Sequence, residues 1–104
     1  MSVGIRRKYN ILETRKAILR ILQKYKRLTA SQLKEKVWGK DWHHKPHAGW
    51  GANIYFNEEL GRFVYIPTED AKYESIKRLI KKGLIKRTGR GVYEITEKGM
   101  QVKW

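Results

Sequence analysis

The stretch Ile80-Lys81-Lys82-Gly83-Leu84-Ile85-Lys86-Arg87-Thr88-Gly89-Arg90-Gly91-Val92-Tyr93-Glu94-Ile95-Thr96-Glu97-Lys98-Gly99 decides how this chain is read. Gly83 supplies the left-handed stop that ends a helix. Leu84 to Arg87 and Val92 to Ile95 are short strand-forming runs. The turn between them, Thr88-Gly89-Arg90-Gly91, has glycines that permit the positive dihedrals of a tight connection. Thr96 is placed to cap a last short helical turn. A helix end, a β-hairpin and a capped turn therefore follow one another directly.

Upstream, Tyr73, Ile76, Leu79 and Ile80 share one helical face and predict a helix that begins after Pro67-Thr68. Glu69 and Asp70 favour its N-terminus through the helix dipole. Ile11, Ile18, Ile21, Leu22 and Tyr25 predict a first helix over 11 to 25. A second, over 30 to 38, ends at Gly39. It opens on Thr29 and Gln32, a capping box in which each side chain bonds the other residue's amide, with Leu28 and Leu33 as the hydrophobic staple. Between helices two and three lies a Gly-containing loop, 39 to 53. Two short runs follow, Asn53 to Phe56 and Arg62 to Ile66, which predict a hairpin turning through 57 to 61.

Three helices followed by a hairpin, with Gly83-Leu84-Ile85 at the junction and Thr96-Glu97-Lys98-Gly99 after the last strand, resemble the winged helix-turn-helix family. The ending is similar to that of small prokaryotic and viral regulators and of Mrr-type N-terminal domains. The resemblance covers Ile11 to Gly99 apart from the middle. It implies an α+β winged helix in a single domain, 1 to 104, with an aromatic-rich insertion at 39 to 66. In that family helices two and three are joined by a turn of a few residues, and here a far longer stretch separates them.

The chain has 104 residues, and 24 Lys plus Arg against 10 Asp plus Glu give a net charge of +14. At 40% hydrophobic and 12% aromatic it is apolar enough to fold. A strongly positive compact domain points first to nucleic acid. The charge is uneven: residues 1 to 40 carry +10, residues 41 to 68 carry −1 and residues 69 to 104 carry +5. Lys77, Arg78, Lys81, Lys82, Lys86, Arg87 and Arg90 follow one another with no acidic residue among them.

The resemblance implies that helix three, 69 to 82, enters the DNA major groove and that the wing, 84 to 95, lies on the adjacent groove or backbone. The helical wheel turns Ala71, Glu74, Ser75, Arg78, Lys81 and Lys82 outward, with Lys72 at the border. Arg78 is the expected base reader and Ser75 permits close approach. Lys72, Lys81, Lys82 and Lys86 are expected phosphate contacts, and Arg87, Thr88 and Arg90 are the expected wing contacts. Arg6, Arg7 and Lys8 form a basic arm within 1 to 10.

The neutral middle contains seven of the twelve aromatic residues, Trp38, Trp42, Trp50, Tyr55, Phe56, Phe63 and Tyr65. Phe56, Phe63 and Tyr65 are the expected private core of the hairpin. Trp42 and Trp50 are the expected partner or stacking residues. Asp41, His43, His44 and His47 cluster, but no second ligand pair follows at zinc-finger spacing and there is no cysteine, so neither metal nor cofactor is expected. No nucleophile, base and orienter can be assembled, so no enzyme is expected. The expected function is sequence-specific double-stranded DNA binding by a small cytoplasmic, nucleoid-associated transcriptional regulator, as a monomer or homodimer. RNA or ribosome binding by the same fold, and a protein-interaction module built on the aromatic insertion, are the rivals. No apolar run is long enough for a membrane span or a signal peptide.

Overall fold

Helix α1 (Thr14–Tyr25) buries Ala17, Ile18, Leu19, Ile21 and Leu22. That apolar surface is too wide for one neighbour, and α1 accordingly lies at the centre of the protein. The structure is a computed structural model that describes residues 11 to 39 and 54 to 103. After α1 come β1 (Arg27–Thr29), α2 (Ala30–Trp38), β2 (Ile54–Asn57), β3 (Arg62–Tyr65), α3 (Glu69–Lys81), β4 (Ile85–Gly89), β5 (Val92–Ile95) and α4 (Glu97–Met100). The architecture is α+β. One antiparallel sheet has the order β1-β5-β4, and β2 and β3 form a second. Helix α1 packs against α2, α3 and both sheets.

The first helix starts at Thr14 rather than at Ile11. The Leu12 amide donates to the Phe63 carbonyl at 2.8 Å, and Leu12 runs parallel to Val64, so this segment is extended beside β3. At the other end Lys26 takes a φ of 72° while its amide closes on the Leu22 carbonyl at 2.8 Å. This sharp exit leads into β1, which the sequence reading did not anticipate. In register, Leu28 meets Tyr93 and Thr29 meets Val92, which makes β5 the central strand. Leu28, Tyr93, Ile85 and Ile95 cover the core from that sheet.

The capping box of α2 forms as expected. The Gln32 amide donates to Thr29 Oγ1 at 3.1 Å, and the Thr29 amide donates to Gln32 Oε1 at 3.0 Å. The C-terminal end is closed from a distance. Asn57, buried in the second hairpin, donates through Nδ2 to the Lys36 and Val37 carbonyls at 2.8 and 3.0 Å. These are among the last carbonyls of α2, which have no partner within the helix. Asn57 Oδ1 also accepts from the Leu60 amide at 3.0 Å, so one side chain fixes both the turn and its seat on α2.

The hairpin does not enclose the private aromatic core expected for it. Phe56 is 46% exposed and Tyr65 44%, whereas Val64 and Asn57 are buried. Alternation along the strands explains the difference. The register pairs Ile54 with Tyr65 and Phe56 with Phe63 on one face, and Tyr55 with Val64 and Asn57 with Arg62 on the other. The second face lies against the helices, and Tyr55 there sits directly on Gly39. A Cβ at Gly39 would come within 2.8 Å of the Tyr55 ring, and its φ is +82°. The hairpin tip reaches α1, where the Tyr25 hydroxyl donates to Glu59 and Lys24 lies 3.2 Å from the same carboxylate. The Tyr25 bond, aided by Lys24, holds the Glu59 carboxyl below its usual range against the opposing effect of partial burial.

At the C-terminal end, the Thr96 hydroxyl accepts from the Gly99 amide at 3.0 Å, the cap expected from the sequence. A Cβ on Gly99 would stand 2.0 Å from the Leu84 carbonyl oxygen, so only glycine lets α4 approach this closely. Gln23 on α1 donates to the Gly99 and Val102 carbonyls, both at 2.9 Å, and ties this end to the central helix.

Replacing Asn57 with Ala removes the bonds to both α2 carbonyls and to the turn. It should cost about 2 kcal/mol or more, as buried polar groups lose their partners. In a domain of this size that is a Tm drop of roughly 10 °C by thermal unfolding. An unchanged Tm would show that the hairpin is held to α2 by other contacts.

Candidate nucleic-acid interface

Helix α3 is started by Thr68, whose hydroxyl accepts from the Ala71 amide at 3.3 Å, and carries Glu69 and Asp70 in its first turn. Glu69 is less a solvent charge than an anchor. Its carboxylate is 2.8 Å from the Lys72 ammonium and 3.2 Å from that of Lys34 on α2. Partial burial opposes ionisation of Glu69, but the hydrogen bonds from Lys72 and Lys34 outweigh it and the carboxyl sits below its usual range.

Lys72 corrects the sequence reading. Placed there at the border of the outward face as a phosphate contact, it has a side chain only 1% exposed. Its ammonium lies 5.0 Å from the centroid of the buried Trp38 ring at the end of α2. Helix α3 is therefore turned relative to the expected face. Lys72, Ile76 and Leu79 point inward, while Tyr73 is 51% and Ile80 36% exposed. The Lys77 ammonium lies over the Tyr73 ring at 5.4 Å.

The rest of the expected outward set is accessible. Ser75 is half-buried and its hydroxyl donates to the Ala71 carbonyl at 3.0 Å. Arg78, Lys81 and Lys82 are exposed around the C-terminal turns of α3. Gly83, at a φ of 76°, then lets the Leu84 amide close on the Leu79 carbonyl, and the chain enters β4 with Ile85 buried. From Lys86 onward β4 is exposed. Its ladder with β5 is irregular between Arg87 and Gly89, so Thr88 bulges out of the pairing. The Arg87 guanidinium bonds the Gly89 carbonyl at 3.3 Å, and Arg90 sits exposed on the turn beside Gly91.

Lys77, Arg78, Lys81, Lys82, Lys86, Arg87 and Arg90 thus lie at the surface of two consecutive elements, and among the described residues none has an ion-pair partner. Lys86 stands opposite Glu94 in the ladder, but that carboxylate is within ion-pair reach of Arg27 instead, at 3.9 Å. Unpaired cations at this density repel one another and attract a polyanion.

Strand β1 sets Arg27 and the Thr29–Gln32 cap beside the β4–β5 hairpin, a juxtaposition that the sequence did not indicate. Arg27, Thr29 and Gln32, with Thr88, Gly89 and Val92, line a depression of about 380 Å³ between the start of α2 and the turn end of the β4–β5 hairpin. Only the pairing of β1 with β5 brings them together, and three residues are too few for a periodic signal. Arg6, Arg7 and Lys8 lie outside the described residues, as do Asp41, Trp42, His43, His44, His47 and Trp50. Among the described residues no three His, Cys, Asp or Glu side chains converge as metal ligands, and no helix is long and apolar enough to cross a membrane. Comparison with protein-family models, with curated proteins and with solved structures finds no match to this chain.

Lys72 and Glu69 separate structural charge from surface charge. Lys72→Ala should cost about 2 to 4 kcal/mol through the cavity it leaves over Trp38, whereas Lys72→Met, which keeps the unbranched stem, should stay close to wild type in Tm. The folded pKa of Glu69 is lowered from 4.5, so its stabilisation is complete above that value and is lost as pH falls through the folded value. Glu69→Gln should flatten the acid limb of a stability-against-pH curve. Equal slopes for the two proteins would contradict the assignment.

Proposed function

We propose that this chain is a winged-helix variant that binds double-stranded DNA with sequence preference, as a small transcriptional regulator working in the cytoplasm. The observation that carries the reading is the set of seven exposed cations, without carboxylate partners among the described residues, on the C-terminal half of α3 and on the β4–β5 hairpin. Helix α3 has 13 residues, about 20 Å of helix, and its outward side suits the wide major groove of B-DNA. The deep, narrow major groove of A-form RNA does not admit a helix, which favours DNA. The β4–β5 hairpin directly after α3 supports the reading, and β1 adds a third strand to it that the expected arrangement of three helices and a hairpin did not include.

In this arrangement Arg78 reads a base edge, Ser75 allows the backbone of α3 to approach, and Lys81, Lys82 and Lys86 meet phosphates. Arg87, Thr88 and Arg90 form the wing contact, where the bulge and Gly91 bring the backbone near the duplex. Lys72 takes no part, since its ammonium belongs to the α2–α3 junction.

Selection from a random duplex pool, run beside total cellular RNA, should enrich a DNA motif. Against that motif Arg78→Ala should cost about 1 to 3 kcal/mol and relax preference at one position, whereas Lys82→Ala should weaken all duplexes alike. Enrichment of RNA instead, or identical behaviour of the two variants, would overturn the assignment.

A further inference from the structure

We propose that two copies of this chain associate through the outer face of the β2–β3 hairpin, as an isologous dimer. Phe56 and Tyr65, both nearly half exposed, lie on this face by register together with Ile54 and Phe63, so its strand positions carry no charged residue. Phe56 meets Phe63 edge to face with ring centroids 5.0 Å apart, which presents a shaped aromatic surface. Strand β2 pairs with β3 on one side, and no other described strand occupies its second edge. It also lacks the Lys or Pro that blunts strand edges.

Charge selects the occupant. With a net charge of +14, two copies repel each other over most of their surface, whereas residues 54 to 68, which carry the hairpin, hold Glu58 and Glu59 against Arg62 and bring no such repulsion. The same neutrality gives a polyanion no reason to prefer this face to α3 and the second hairpin. An uncharged aromatic surface on an otherwise cationic protein fits its own kind. A two-fold axis would set each hairpin face against the same face of the other copy.

Sedimentation or light scattering across concentration and salt tests this. The wild type should show a monomer–dimer equilibrium whose dimer fraction rises with salt, because screening removes repulsion and leaves apolar contact intact. Phe56→Asp and Tyr65→Ser should each weaken association by about tenfold or more, the usual effect of truncating a central interface aromatic. Both side chains are exposed enough that Tm should hold. If Phe56→Asp unfolds, the strand-compatible Phe56→Thr takes its place. Tyr73→Ser, which removes the exposed aromatic of α3, should leave the dimer unchanged. A protein that is monomeric at every concentration and salt overturns the proposal, as does association that survives both hairpin substitutions or is lost with Tyr73→Ser. A monomer whose affinity for a single-stranded oligonucleotide falls in Phe56→Asp also overturns it and gives the face to unstacked bases.

Discussion

Burial of Trp38 is the contact on which the arrangement of this protein depends. The indole ends α2, its Nε1–H donates to the Tyr65 carbonyl at 2.8 Å, and the Lys72 ammonium stands over its ring. One side chain therefore holds the end of the β2–β3 hairpin and the start of α3 against α2. Lengthening a connection costs little loop entropy, because the cost grows only with the logarithm of its length. A long excursion between α2 and α3 is tolerable when its exit is pinned beside its entrance. Asn57 on the α2 carbonyls and Tyr55 over Gly39 complete that pinning.

The same junction sets which way α3 faces. Lys72 sets its ammonium over the indole and pairs it with Glu69, and the inward stripe is Lys72, Ile76 and Leu79. That rotation brings Tyr73 out and leaves Arg78, Lys81 and Lys82 in solvent. Two groups of cations stand apart. Lys24, Arg27, Lys34 and Lys72 are matched to Glu59, Glu94 and Glu69 and hold elements together. The seven on α3 and the β4–β5 hairpin have no carboxylate partner among the described residues.

Most of the local punctuation was legible in the sequence. The Thr29–Gln32 box, the Thr68 and Thr96 caps, the stop at Gly83 and the glycine turn before Val92 each involve neighbours in the chain, so spacing alone reveals them. What escaped reading was long-range. Strand β1 exists because β5 pairs with it, and its three residues carry no pattern of their own. Lys72 reads as surface because its burial depends on an indole many residues away. Asn57 reads as an ordinary turn residue, and nothing nearby indicates that its amide caps α2. The aromatic hairpin was misread for a related reason: abundance of aromatic residues indicates a core, but strand register decides which of them reach it. The exposed cations of the candidate site were identifiable from the charge run, although the sequence counted Lys72 among them.

The most direct measurement is the salt dependence of duplex DNA affinity. If about five of the seven unmatched cations meet phosphates, log K should fall against log salt with a slope of about −4 or steeper, and Lys82→Ala should lower its magnitude by about one. A duplex affinity that does not change between low and physiological salt would contradict the account, because the unmatched charges of α3 and the hairpin would then not be meeting the polyanion.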